Sequence, residues 1–466
     1  MRKSKLFDLL RSLEKEEWKS FRSFLLSRHK EGTEMILLYD YISKYKGDWN
    51  HKYLDKDRAN SLLFKKKSNK NFLNLMHQLR TEILDYFAWE DMQRDPRDMN
   101  LHTLKSLNRR GLFLSSTGLN NHFQKSIDKS PIDLWNSWYQ LQANHILKFS
   151  DNPIKAGREP ELWKQMAGIW HRFKTHLDLF YQADAMNIMK LYPDNLSTDI
   201  SELVPGKSDL ADDFIANILR DLVAFTVSDD QDLYMKIFDT LIDGKIQLTS
   251  NFGGVVLDYL INYNIRKAKK GQGDYVELFR LYDFGLNTGL LFDNGEISDS
   301  RFLVAVELAS LEEVKMDPMA FIDTWSSSLN KETRDDVILL ARSSANIYGG
   351  RAGHAIAELN QYKFSNPRHQ NSMRILLLMA DFTDNYDNTE FLNNQLRNFY
   401  EYTKRHEKVS SPLHYEAIIN FCKILRMIAN RGPLGDVIGF LAIDHPLVKR
   451  LWLYTYIDKI KEVDGH

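Results

Sequence analysis

Phe64-Lys65-Lys66-Lys67-Ser68-Asn69-Lys70-Asn71-Phe72 is the densest run of cationic and aromatic side chains in this sequence. Lysines offer point charges to phosphate and aromatic faces let unpaired bases stack, which is how single-stranded nucleic-acid sites are built. Lys65, Lys66, Lys67 and Lys70 are therefore a candidate patch for an anionic partner. A solvated loop between two helices, with both phenylalanines turned inward, accounts for the same residues. The patch would also serve an acidic protein, or the chain's own acidic segment.

Other candidate chemistry is sparse. Zinc sites draw on Cys and His at short spacing, or on His-Glu-x-x-His along one helix. The chain has one cysteine, Cys422, and none of its 14 histidines stands four residues from another. His171 and His176 are five apart, about 140° around a helix, and are expected to face solvent. Gly349-Gly350-Arg351-Ala352-Gly353-His354 is the nearest approach to a phosphate-cradling loop, but it lacks the lysine and a preceding strand. It reads as a turn between helices. Asp229-Asp230 and Asp335-Asp336 diverge by about 100° on a helix, so neither makes the facing pair of a glycosidase. All four fall near expected helix starts, where negative charge is stabilising. Cys422 lies among Phe421, Ile424 and Leu425, a setting that raises a thiol pKa and suppresses nucleophilicity. A non-catalytic protein is expected, with no cofactor and no metal.

The elements that must carry these residues read as helix after helix. The 466 residues include 11 Pro and 22 Gly, few turns for such a length, which favours long helices over many strands. Leu6, Leu9, Leu10 and Leu13, then Trp18, Phe21, Phe24 and Leu25, then Ile36, Leu37, Tyr41 and Tyr45 recur at helical spacing. A further helix is predicted from Asn71 to about Glu90, ended by Asp95-Pro96. The longest pattern runs from Pro160 to Tyr192, where Pro193 stops it. Its stripe is Trp163, Met166, Ala167, Trp170, Phe173, Leu177, Phe180 and Tyr181. Period-two alternation is nearly absent, so no sheet is expected.

Charge is balanced overall but uneven along the chain. Residues 1–80 hold 19 Lys/Arg against 10 Asp/Glu, whereas residues 193–243 hold 3 against 12. Ile375-Leu376-Leu377-Leu378-Met379-Ala380 is the best apolar run and falls far short of the roughly 20 residues that span a bilayer. The opening Met1-Arg2-Lys3-Ser4-Lys5 lacks the continuous apolar stretch of a signal peptide. With a single cysteine, a cytoplasmic location away from membranes is the expectation. Three regions follow: a basic helical domain at 1–95, a central helical segment at 96–207 and a helical-hairpin array at 208–466.

Gly273-Asp274-Tyr275 followed by Leu278, Tyr282, Gly285 and Leu286 resembles the second helix of a tetratricopeptide repeat, with Leu278 where Ala is usual. A second window, Gly350 through Ala355 to Pro367, is similar in its first glycine, central alanine and final proline, with Ala352 and Leu359 in place of aromatics. Between them Trp325 and Leu329 could anchor a hairpin whose Pro318 sits near a helix start. The spacing is about 43 and then about 34 residues, against about 34 in that family. The resemblance covers roughly residues 260–430. The chain as a whole is similar to helical-repeat proteins of Bacteroidetes-type bacteria.

The helical periodicity predicts an all-α fold with an N-terminal helical bundle, and the resemblance implies that a tetratricopeptide-like α-solenoid of helical hairpins follows it. The resemblance also implies a protein-binding or scaffold role in a groove of that array, with a protein or peptide partner. The alternative is a nucleic-acid-associated protein holding phosphates through the basic N-terminal region.

Overall fold

Helical periodicity with few breakers produces helices almost throughout. The structure, a computed structural model, describes residues 4–64, 69–148, 159–191, 212–242, 248–269, 272–293, 295–364, 366–407, 411–443 and 445–464. The fold is all-α: the described residues form 22 α-helices and one antiparallel ribbon. That ribbon pairs β1 (Phe292–Asp293) with β2 (Glu296–Ile297) across a turn containing Gly295 at φ +82°. Two residues per strand leave no alternation for the sequence to display. None of the described helices is long and apolar enough to cross a membrane.

The chain divides into two compact units. The first, Met1–Lys129 with Ser137–Trp170, holds α1 (Lys5–Ser12), α2 (Lys15–Arg28), α3 (Glu34–Ser43), α4 (Lys56–Phe64), α5 (Asn69–Arg94), α6 (Pro96–Arg109), α7 (Phe113–Asp128) and nearly all of α8 (Asn136–Lys148). Phe7, Leu10, Phe21, Leu25, Tyr39 and Leu79 are among its fully buried core residues. The Asp95-Pro96 break joins α5 to α6 inside this unit: the Asp95 carboxylate accepts from the Arg97 amide at 2.8 Å, and Pro96 begins the helix. A carboxylate cap followed by proline satisfies one free amide and places the residue that lacks one. Asp317-Pro318 repeats this device, and Asn366-Pro367 and Ser411-Pro412 do the same with an amide oxygen and a hydroxyl as the cap.

α9 (Glu159–Leu191) has Pro160 in its first turn; its residues to Trp170 group with the first unit and those from His171 with the second. The apolar stripe read from sequence is only partly a packing face. Met166 and Phe173 are buried, whereas Trp163 and Trp170 are each 51% exposed, and the Lys148 ammonium sits 4.9 Å from the Trp163 ring centroid. The sequence boundary at 207 lies outside the described residues.

The second unit, Ser130–Asn136 with His171–His466, continues with α10 (Phe214–Ser228), α11 (Gln231–Ile242), α12 (Ser250–Lys269), α13 (Tyr275–Asn287), α14 (Asp299–Ala309), α15 (Pro318–Trp325) and α16 (Arg334–Tyr348). After these come α17 (Ala352–Gln361), α18 (Pro367–Asp384), α19 (Thr389–Arg405), α20 (Pro412–Ala429), α21 (Leu434–Ala442) and α22 (Arg450–Asp464). From α10 to α21 each helix packs on the next in sequence, and α14 packs also on α16, and α16 on α18. Those three begin at residues 299, 334 and 367, so 35 and then 33 residues separate their starts. Small residues, Ala341, Ala345, Ala352 and Ala355, are fully buried where α16 and α17 meet their neighbours. Small side chains let helix axes approach closely, and a continuous apolar core runs along the unit.

Candidate functional site

The residues with catalytic potential go to structural work. Cys422 is 3% exposed in α20, and burial, only partly opposed by the Arg426 charge, pushes its thiol up to about 12. A thiol of that kind is protonated at neutral pH and a poor nucleophile. His171 is exposed, as expected. His176 is not: it is 1% exposed, with Nε2 2.7 Å from the Asp213 carboxylate. Asp213 caps α10 by accepting from the Ala216 amide. Burial favours the neutral Asp213 acid, but the hydrogen bonds from His176 and Ala216, with Arg172 nearby, outweigh it and lower its pKa.

The paired aspartates also separate into different tasks. Asp230 caps α11 through the Asp232 and Leu233 amides. Asp229 instead ends α10 in the left-handed region at φ 53° and pairs with Lys190 at 2.7 Å. Asp336 is 3% exposed and lies 3.1 Å from His369 Nδ1, while His369 Nε2 lies 3.2 Å from Asp299. Burial raises the Asp336 pKa, but hydrogen bonds from His369, Tyr362 and the Asn366 amide overcome it, and the net shift is downward. His369 thus ties together the first turns of α14, α16 and α18. Among the described residues no group of three or more His, Cys, Asp or Glu side chains is arranged so that it could hold a metal ion. A cleft of about 200 Å³ lined by Leu134, Trp135, Leu177, Phe180 and Tyr181 brings in a single carboxylate, Asp133, and so no pair of carboxylates.

Of the candidate anionic-partner patch, Lys65, Lys66 and Lys67 lie outside the described residues. Lys70 is exposed in the first turn of α5. Phe72 is fully buried and Phe64 half-buried, with ring centroids 6.0 Å apart.

The residues of the repeat-like windows sit at helix contacts. A side chain at Gly273 would strike the Ala268 backbone at 2.6 Å, and one at Gly285 would meet Leu257 and Leu291 at 2.5 Å. Leu278, Tyr282 and Leu286 are buried along α13, and Tyr275 is half-buried at its start. Gly350 takes φ +72° in the turn between α16 and α17, and Ala355 is fully buried in α17.

The largest feature that the sequence did not reveal is the setting of α22. Its Trp452, Leu453, Tyr456, Ile457 and Ile460 are buried. Trp452 stacks on Tyr456 at 4.7 Å and approaches Phe421 of α20. The Tyr456 hydroxyl donates to the Phe382 carbonyl of α18 at 2.6 Å, and the Lys459 ammonium donates to the Tyr348 carbonyl ending α16 at 3.2 Å. Donors aimed at the last carbonyls of a helix satisfy acceptors that have no partner within it, and a cation there suits the dipole. Lys449 pairs with Glu307 of α14. Burial pushes the Tyr275 phenol up to about 12, with the neighbouring Tyr454 adding to the shift and Arg450 opposing it. Helices α14, α16, α18 and α20 therefore all meet α22 or the residue before it. In sequence the helical spacing of Trp452, Leu453, Tyr456, Ile457 and Ile460 marks its buried face; the contacts, up to 142 residues apart, leave no local signal.

No protein-family model, curated protein or solved structure matches the chain.

Proposed function

We propose that the helices of the second unit form a tetratricopeptide-like array and that the protein is a non-catalytic binding or scaffold protein, the array recognising a helical segment of a partner protein. The observation that carries this reading is the seating of α22. Aromatic anchors, a cation–carboxylate pair and donors to helix-end carbonyls are the groups that hold a helix in a groove, and they converge here on one helix and the residue before it from four others. The recurrence of α14, α16 and α18 near the 34-residue period supports a hairpin array. Such arrays offer extended surfaces for partners, while a fold alone assigns no activity.

Affinity capture with the full chain as bait tests the proposal. Val304 on α14 and Met316 before α15 are exposed apolar side chains of the second unit, and Leu114 is one in the first. A partner recovered in stoichiometric amount is expected to be lost with Val304→Lys and Met316→Lys together and kept with Leu114→Lys. Repeated recovery of nothing, or a partner indifferent to the paired change, would count against the array.

A further inference from the structure

We propose that Tyr45, His51 and Tyr53 in the first unit form a site for a single-stranded nucleic acid, its bases stacking on these rings and its phosphates taken by the cations around them. The three rings lie in the connection between the end of α3 at Ser43 and the start of α4 at Lys56. Tyr45 and His51 stack with centroids 4.5 Å apart and planes 20° from parallel. His51 and Tyr53 are 5.1 Å apart, and Tyr45 and Tyr53 6.2 Å.

The cluster is held in place from the core side. Tyr41 is buried, meets Tyr45 edge-on at 5.5 Å and donates its hydroxyl to the Tyr53 carbonyl at 2.7 Å. The Tyr53 amide donates to His51 Nδ1 at 3.3 Å. The outer ring, Tyr53, is 38% exposed. Its cations are close: Lys52 Nζ lies 5.5 Å and Arg58 Cζ 6.0 Å from the Tyr53 ring centroid, and Lys44 and Lys46 flank Tyr45 as exposed side chains. Residues 44–58 hold five Lys/Arg against three Asp. One of the three, Asp55, is engaged at the start of α4, accepting from the Asp57 and Arg58 amides.

An exposed ring, Tyr53, backed by partly buried Tyr45 and His51 and set among long cations that can move off it, combines base stacking with phosphate neutralisation. A duplex keeps its base faces covered, and an acidic peptide brings nothing to stack, so the unpaired strand is the better match. The site lies wholly in the first unit and stands independently of the array proposal.

Fluorescence anisotropy of the full-length chain with a labelled oligouridine of roughly 12 nucleotides, within the usual footprint of such sites, tests it. Binding is expected to fall steeply with salt, to weaken about 10-fold or more in Tyr53→Ala, and to return in Tyr53→Trp. Lys52→Glu with Arg58→Glu is expected to flatten the salt dependence. Should Tyr53→Ala melt below wild type, this charge-reversed pair carries the decision. No binding at low salt, unchanged binding in both sets of variants, or equal competition by a duplex or by polyglutamate would each overturn the proposal.

Discussion

Asp381 in α18 has a carboxyl that burial, reinforced by the nearby Asp384 charge, pushes up to about 6. A raised folded-state pKa means that the folded chain holds a proton the unfolded chain has already released. Stability contributed at low pH is therefore lost as pH rises from about 4 toward 6. Among the described residues no side chain or amide donates to that carboxylate, so Asp381→Asn is expected to gain about 1–3 kcal/mol at pH 7 and to flatten the loss between pH 4 and 6, read by urea unfolding across pH. An unchanged profile would remove Asp381 from the account.

The Asp336–His369–Asp299 cluster has the opposite sign. Asp336 has a lowered pKa, so its stabilisation is present above about pH 4 and disappears as pH falls through the lower folded-state value. His369→Ala leaves the buried Asp336 carboxylate without that hydrogen-bond partner, a change that typically costs about 1–3 kcal/mol. Urea unfolding of that variant at pH 7 is expected to show this loss, together with a weaker dependence on pH in the acid range. A variant as stable as wild type would mean that the three helix starts do not depend on the cluster.

At the scale of elements, Gly285 decides how closely α12 and α13 cross, because a Cβ there would come 2.5 Å from both Leu257 and Leu291. Overpacking of this kind costs about 1–3 kcal/mol, which outweighs the roughly 1 kcal/mol that Ala gains over Gly in a helix. Gly285→Ala is thus expected to lower the thermal midpoint, whereas Gly168→Ala in α9, where a Cβ meets nothing within 4 Å, is expected to keep or raise it. Equal behaviour of the two would contradict the close crossing.

What was legible in the sequence follows the range of the forces involved. Helix existence is local: the 3.6-residue period and the proline starts place α5, α9 and α15, and the repeat-like windows place α13 and α17, within a few residues of where they lie. Side-chain destiny is not local. Trp163 and Trp170 share the α9 stripe with Phe173 yet remain half exposed, and His176 is buried because Asp213, 37 residues on, meets it. The candidate lysines were visible as charge, but the Tyr45–His51–Tyr53 rings became a cluster only once the α3–α4 connection brought them face to face.

At the scale of the whole molecule, partner binding is proposed for the second unit and charge-driven contact for the first. Lys449 shows how the second unit is committed to α22: it adopts the left-handed region at φ 53°, which non-glycine residues seldom occupy, and pairs with Glu307. Arg450 straps the preceding turn by donating to the His445 carbonyl at 2.8 Å. Backbone strain held by buried partners marks a helix with a defined seat.

Hydrogen exchange on the full-length chain, free and bound to the partner recovered by capture, tests the central claim most directly. Slowed exchange is expected in α14, α16 and α18, with α22 either protected further or released. Protection confined to helices α1–α8 would contradict an array that binds.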